Sequence, residues 1–300
     1  MKITEYPSVT ELDDDNVFLL DGTNGTKKIA KSDLTYALFD NIPEMHRQIY
    51  RGKNLGSNYT IAQKEAVSNG TFHDLWVGDY WEIDGYKYYI ADLDYYYDSL
   101  NEKHELVIIS NKTIGPVKWD DPSLESYSAD FRSYAESTLY KNILPQFVSS
   151  IPPTFSSNLI ANSIQLNNSV NCSSGFAFGE NGAAFYELEA NFPTFEQIFG
   201  YSNPFMLLSR PSQREMVTGA FTQAGCDKFA IFNFIGLEGM GLTKDYLLSS
   251  HIGDHAVAVY GRVLPLTPSS SHTRNSFQGY YTTSKRDGDL YVFGYFTVKG

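Results

Sequence analysis

The chain is poor in cysteine, in basic residues and in long apolar runs, and each shortage removes a class of protein. Cys172 and Cys226 are its only cysteines, and no C-x-x-C pair exists, so neither a zinc cluster nor a redox motif is supported. They stand as two buried thiols or as a disulfide pair. No apolar run approaches the roughly 20 residues a membrane span needs, so no membrane partner is expected. The N-terminus shows no basic region followed by an apolar core, and no secretory signal is expected. Against 35 Asp and Glu stand 23 Lys and Arg, a net charge of -12. An acidic surface repels the phosphate backbone, which argues against a nucleic-acid partner. No P-loop and no G-x-S-x-G is present. The glycine-rich segment Gly236-Leu237-Glu238-Gly239-Met240-Gly241 lacks the G-x-G-x-x-G spacing and the strand-then-helix setting of a dinucleotide site, and reads as a flexible loop. His251 and His255 are four apart, but Ile252, Gly253 and Asp254 lie between them. The Glu of H-E-x-x-H is missing, so a loop or strand-edge pair is expected rather than a zinc site. The sequence contains no catalytic constellation, no metal site and no cofactor motif, and it predicts a non-enzymatic protein.

What the chain has in quantity is aromatic side chains, with 22 Tyr and 20 Phe making up most of a 15% aromatic content. Tyrosine joins apolar area to a hydroxyl, which suits recognition surfaces and β-strands alike. The densest stretch runs from Thr71 to Ser110. Asp84-Gly85 sits between two bulky runs, the signature of a two-residue type I′ turn. Closing that turn sets Ile83 opposite Tyr86, Glu82 opposite Lys87, Trp81 opposite Tyr88 and Tyr80 opposite Tyr89, all favourable cross-strand pairs. Leu106 to Ile109 adds a short apolar strand. A lone hairpin is marginal, so more sheet must cover it.

Taken in order, residues 16 to 40 read as strand, strand, short helix. Val17 to Leu20 is the first strand, Gly22-Thr23-Asn24-Gly25 a turn, and Thr26 to Ala30 the return. Ser32 can cap a helix whose apolar stripe is Leu34, Ala37 and Leu38. The unit is too small to bury a core by itself. Pro43 to Tyr50 and a segment capped by Thr60 and stopped by Gly70 are further helices. Asn111 to Leu124 reads as a loop and Ser128 to Leu139 as a helix, which Pro145 ends or bends. Thr194-Phe195-Glu196-Gln197 fits a capping box. Phe205 to Leu208, Lys228 to Ile235, Tyr246 to Ser250 and His255 to Leu264 read as strands. Asp289 to Val298 is apolar or aromatic on both faces and must be central or lie at an interface. Strands and helices without β-α-β alternation define an α+β fold. Three units are expected: residues 1–41 as an attachment module with its hairpin and helix, 42–70 as a helical connector, and 71–300 as a mixed, mostly antiparallel displayed domain.

Two groups of side chains bear on chemistry. Asp92, Asp94 and Asp98 follow the hairpin in ADLDYYYD. A solvated strand end is the favoured reading, against a calcium site or a carboxylate pair for glycoside hydrolysis. Tyr95, Tyr96 and Tyr97 either offer flat faces to a sugar or protein, or send alternate rings into the core.

The runs NLGS, Thr60-Ile61-Ala62-Gln63, GTFHDLWVGDYWEIDGYKYYIADLDYYYD and KHELVII resemble a domain recurrent in structural proteins of phages and prophages of gut bacteria. The opening EYPSVTELDDDNVFLLDGTNGTKKIAKSDL resembles a tether that often precedes such domains. The run DYLLSSHIGDHAVAVYG looks like the late strands of the C-type-lectin-like fold. These resemblances imply a tail, baseplate or head fibre protein made in the bacterial cytoplasm and located in the virion. Residues 1–41 would hold it to other virion proteins, through Val17, Phe18, Leu19, Leu20, Leu34 and Leu38. Homotrimers or homodimers are expected of such projections. The alternative is a carbohydrate- or host-receptor-binding module, with a cell-wall or capsule glycan hydrolase behind it.

Overall fold

The Asp84-Gly85 turn forms with both residues at positive φ, 53° and 79°, the geometry that matches the right-handed twist of the strands it joins. In this computed structural model the described residues are 17–22, 25–30, 36, 38–96, 103–117, 130–131, 134–167, 170–171, 183–194, 197–198, 228–244, 246–253, 256–260, 278–281 and 290–300.

At the N-terminal end, β1 (Val17–Gly22) and β2 (Gly25–Ala30) pair antiparallel from Val17 opposite Ala30 to Gly22 opposite Gly25, the hairpin expected there. It is a two-stranded sheet of its own. A helical turn follows, in which Asp40 donates its N–H to Tyr36 at 2.9 Å. Helix α1 (Pro43–His46) opens on a proline, where the missing N–H has no intrahelical acceptor to lose. Helix α2 (Ile61–Ser68) starts at a capping box: Thr60 Oγ1 accepts the Gln63 N–H at 3.3 Å, and Gln63 Oε1 accepts the Thr60 N–H at 2.9 Å. The Trp81 indole N–H donates to the same Gln63 oxygen at 3.2 Å, tying that cap to the sheet.

The sheet is built from β3 (Tyr80–Ile83), β4 (Tyr86–Leu93), β5 (Leu106–Ile114) and two strands from the far end of the chain. The β3–β4 register is the expected one at all four pairs. Beyond β5 come β6 (Asp130–Phe131), α3 (Leu144–Ser149), α4 (Pro153–Ser156), β7 (Asn162–Asn167), β8 (Val170–Asn171), β9 (Ala183–Leu188) and β10 (Ala190–Asn191). Then β11 (Tyr246–Gly253), β12 (Ala256–Tyr260) and β13 (Gln278–Tyr281) form an antiparallel sheet, and β14 (Val292–Val298) ends the series. The main sheet runs β10-β14-β5-β4-β3 with every neighbour antiparallel. Strand β14 is interior to it and buried at every position, as its two-faced apolar pattern required.

Both faces of this sheet are covered. Cross-strand neighbours share a face, so Trp81, Tyr88, Ile90, Ile108 and Phe296 lie together. Phe155 of α4 packs on them, 5.3 Å from Trp81 and 5.4 Å from Phe296 between ring centroids. Phe147 of α3 lies over Gly294, where a Cβ would overlap its ring. On the opposite face lie Tyr80, Tyr89, Ile109 and Tyr295, with Phe229 at 5.1 Å from Tyr295.

Several expectations are corrected. Strand β5 continues through Ile114, where Asn111 to Leu124 read as loop, because β14 supplies a partner as far as Val292 opposite Ile114. The helix expected from Ser128 gives way to β6, a 3₁₀ turn at Tyr134–Glu136 and a π turn at Leu139–Ile143. Pro145 sits in the first turn of α3, so it opens a helix where it was expected to end one. Lys228 to Ile235 is no strand: Ala230–Asn233 is a 3₁₀ turn, short apolar runs being ambiguous in period. Within the glycine-rich segment Leu237–Met240 forms another, its two end residues buried, closed by Gly241 at φ 83°. Residues 42–70 run along the outer edge of β3, with Leu55 donating to Tyr80 at 2.8 Å and Glu82 to Gly56 at 2.9 Å. Tyr59, Ala66 and Val67 join the main core. Phe205 to Leu208, Cys172, Cys226 and His255 lie outside the described residues, and His251 is on strand β11. No helix among the described residues is long and apolar enough to cross a membrane.

Candidate functional site

Asp92 is placed by a bulge. Ile90 pairs with Ile108 but Asp92 with Val107, so Ala91 is an extra residue in β4. One added residue moves everything beyond it to the other face, and Asp92 therefore leaves the Ile90 face. It is fully buried there. Arg47 clamps it, Nε to Oδ1 at 2.5 Å and Nη2 to Oδ2 at 3.1 Å, while the N–H groups of Leu93 and Ala230 donate at 2.8 and 2.9 Å. Burial pushes its carboxyl above the usual range, and Arg47 opposes that push. The expectation of a solvated strand end is thus overturned at Asp92. Both oxygens are engaged, which leaves none for a cation or for proton transfer to a substrate.

A second ion-paired group lies nearby in sequence. Asp79 is buried and accepts from Arg51 Nη2 at 2.6 Å and from the N–H groups of Lys53 and Trp76 at 2.9 Å each. Burial raises its carboxyl, with Arg51 working the other way. Arg51 also binds Asp74, which Lys53 Nζ reaches at 2.7 Å. Burial works to raise the Asp74 carboxyl, but Lys53 and Arg51 outweigh it and hold it below its ordinary value. Asp40 accepts the Asp74 N–H at 2.8 Å and pairs with His73, while Tyr36 lies 5.4 Å from Trp76. The chain just after the N-terminal hairpin is therefore fastened to the body.

Asp94 accepts from Glu105 N–H at 3.1 Å and contacts His104 Nδ1 at 2.8 Å. Glu105 is buried, its oxygens accepting from Tyr96 N–H and Asn162 Nδ2 at 2.9 Å each. Burial, outweighing those donors, pushes its carboxyl up to about 7, with Asp94 and Asp92 adding to the rise. Asp98 lies outside the described residues. Among the described residues no group of three or more His, Cys, Asp or Glu side chains is placed to hold a metal ion.

The tyrosine run divides. Tyr95 is half-buried, edge-on to Tyr96 at 4.7 Å and to Phe229 at 4.6 Å. The Tyr96 hydroxyl meets that of Tyr295 at 2.7 Å, and Gln197 Nε2 donates to each at 3.1 Å. Gln197 is held by the expected capping box with Thr194. Both rings are thus committed to internal packing; Tyr97 lies outside the described residues. Of the tether residues, Val17 to Leu20 lie on β1, Leu34 is outside the described residues, and Leu38 is 63% exposed.

Sequence reasoning missed an aromatic corner on the Tyr89 face. Tyr50 lies 6.0 Å from Phe234, Tyr80 lies 5.4 Å from Tyr89, and Lys87 Nζ sits 4.3 Å from the Tyr80 ring centre. Only the Tyr80–Tyr89 pair was legible, because Phe234 arrives from 184 positions beyond Tyr50 along the chain.

No protein-family model, no curated protein and no solved structure matches this chain.

Proposed function

We propose that this chain is a non-enzymatic structural component of a phage virion, a tail, baseplate or head fibre protein. Residues 1–41 attach it to other virion proteins, and the α+β body, arranged in C-type-lectin-like fashion, is displayed. The observation that supports this best is at the N-terminal end. Hairpin β1–β2 shares no strand pairing with the other sheets among the described residues, and a two-stranded ribbon is marginal alone. Leu38 and Ile42 behind it are 63% and 42% exposed. Exposed apolar residues of this size, following in the chain a ribbon that lacks a sheet partner among the described residues, suit a foreign docking surface. The resemblance of the opening segment to a virion tether points the same way, as does an acidic composition suited to solubility at high local concentration.

The test is incorporation into particles. Two variants keep Tyr36 and Asp40, and with them the fastening to the body: deletion of residues 1–30, and Leu38→Glu in the full chain. Both are expected to fold normally and to be lost from purified virions. Wild-type incorporation of the deletion variant would remove the attachment role.

A further inference from the structure

The aromatic corner is a surface feature that the internal architecture leaves unexplained. Its floor is fixed by backbone: Gly78 has φ 86°, and a Cβ there would overlap the Tyr50 ring, so the ring lies directly on the chain. Phe234 stands beside it, 43% exposed. Such exposure on a phenyl ring is unfavourable unless something covers it. Tyr80 is half-buried and Tyr89 nearly enclosed, and their rings meet tilted at 48° across the β3–β4 pair. The hydroxyls of Tyr50, Tyr80 and Tyr89 make no hydrogen bond among the described residues. Burial, with the neighbouring phenols and Glu82, pushes the Tyr89 phenol up to about 12, and Tyr50 is raised as well, so both keep their protons at neutral pH. On its rim, among the described residues, exposed Glu82 stands opposite half-buried Lys87.

We propose that the corner made by Tyr50, Tyr80, Tyr89 and Phe234, with Glu82 and Lys87 on its rim, is a subsite for a neutral sugar ring of a glycan. A pyranose presents a C–H face that stacks on aromatic rings and a girdle of hydroxyls that both donate and accept. Phe234 and Tyr50 supply the apolar wall. Phenol hydroxyls that have no partner among the described residues, a carboxylate and an ammonium supply partners for the girdle. The rim charges cancel, so the site favours an uncharged ring over a uronic or sialic acid. None of this depends on where the chain sits in a particle.

The experiment uses the full chain with cellohexaose, maltohexaose, mannohexaose and chitohexaose, read by saturation-transfer NMR and titration calorimetry, beside polygalacturonate and colominic acid as acidic controls. Phe234→Ala tests the wall. Tyr50→Phe tests the hydroxyl while keeping the ring on Gly78. Thermal unfolding of each variant checks the fold. The expected result is binding of at least one neutral hexaose, weakened about tenfold by Phe234→Ala, the loss of one stacking partner, and more mildly by Tyr50→Phe. Silence with all four neutral sugars would overturn the proposal. So would preference for the acidic polymers, or binding that both variants leave unchanged. Failure here leaves particle incorporation unaffected, so the two proposals are separable.

Discussion

Glu105 is a carboxylate shut away from water, with two N–H donors and no cation among the groups that act on it. Two carboxylates add to the effect of its burial, Asp94, itself paired with His104, and Asp92, clamped by Arg47. Its folded pKa of about 7 stands above the ordinary 4.5. Stability contributed by the protonated form is therefore complete below pH 4.5 and is lost as pH rises to about 7. The full span corresponds to roughly 3 kcal/mol, an upper bound for one group. Urea melts from pH 4.5 to 8 should show this fall against the background of other groups, and Glu105→Gln should flatten it. An equal slope in the variant would show that Glu105 ionises freely. At Asp92 the expected effect is of another kind. Arg47→Ala strands a buried carboxylate and should cost roughly 2–3 kcal/mol, below the range for fully buried pairs because Arg47 is 40% exposed. A melt unchanged by that substitution would mean that the pair contributes nothing.

Among the elements, those ruled by local chemistry were readable from sequence. The Asp84-Gly85 turn admits one register, and that register forms. The caps at Thr60 and Thr194 need only residues three positions apart. Thr60→Ala should lower stability by about 1 kcal/mol in urea melts, a typical loss for an N-cap hydroxyl; no change would mean that the Trp81 contact alone holds Gln63. What the sequence concealed is set by distant partners. The bulge at Ala91 reverses the side on which Asp92 emerges, and nothing in ADLDYYYD announces an extra residue. Asn111 to Ile114 is polar enough to read as loop, but β14 pairs with it from the other end of the chain. The run after Lys228 has strand composition and still folds into a 3₁₀ turn, at whose start Asp92 takes the Ala230 N–H. The candidate sites fared in the same way. The Tyr80–Tyr89 pair was visible in the hairpin, whereas the Phe234 side of the corner was not.

At the scale of the whole molecule, the first and last described parts of the body meet in one sheet, with β14 inserted between β5 and β10. Residues 42–70 belong to that body, and the fastening extends back to Asp40 and Tyr36. The separate N-terminal ribbon β1–β2 and exposed Leu38 lie before or at that fastening. The proposed division, a body for display and an N-terminal segment that docks on another virion protein, rests on these two observations. Its most direct test is an electron cryo-microscopy reconstruction of phage particles from the strain that carries the gene. The account predicts density for this chain on the particle, with residues 17–30 and Leu38 seated against a different virion protein and the body projecting outward. A chain absent from the particle, or a hairpin folded back onto its own body there, would contradict it.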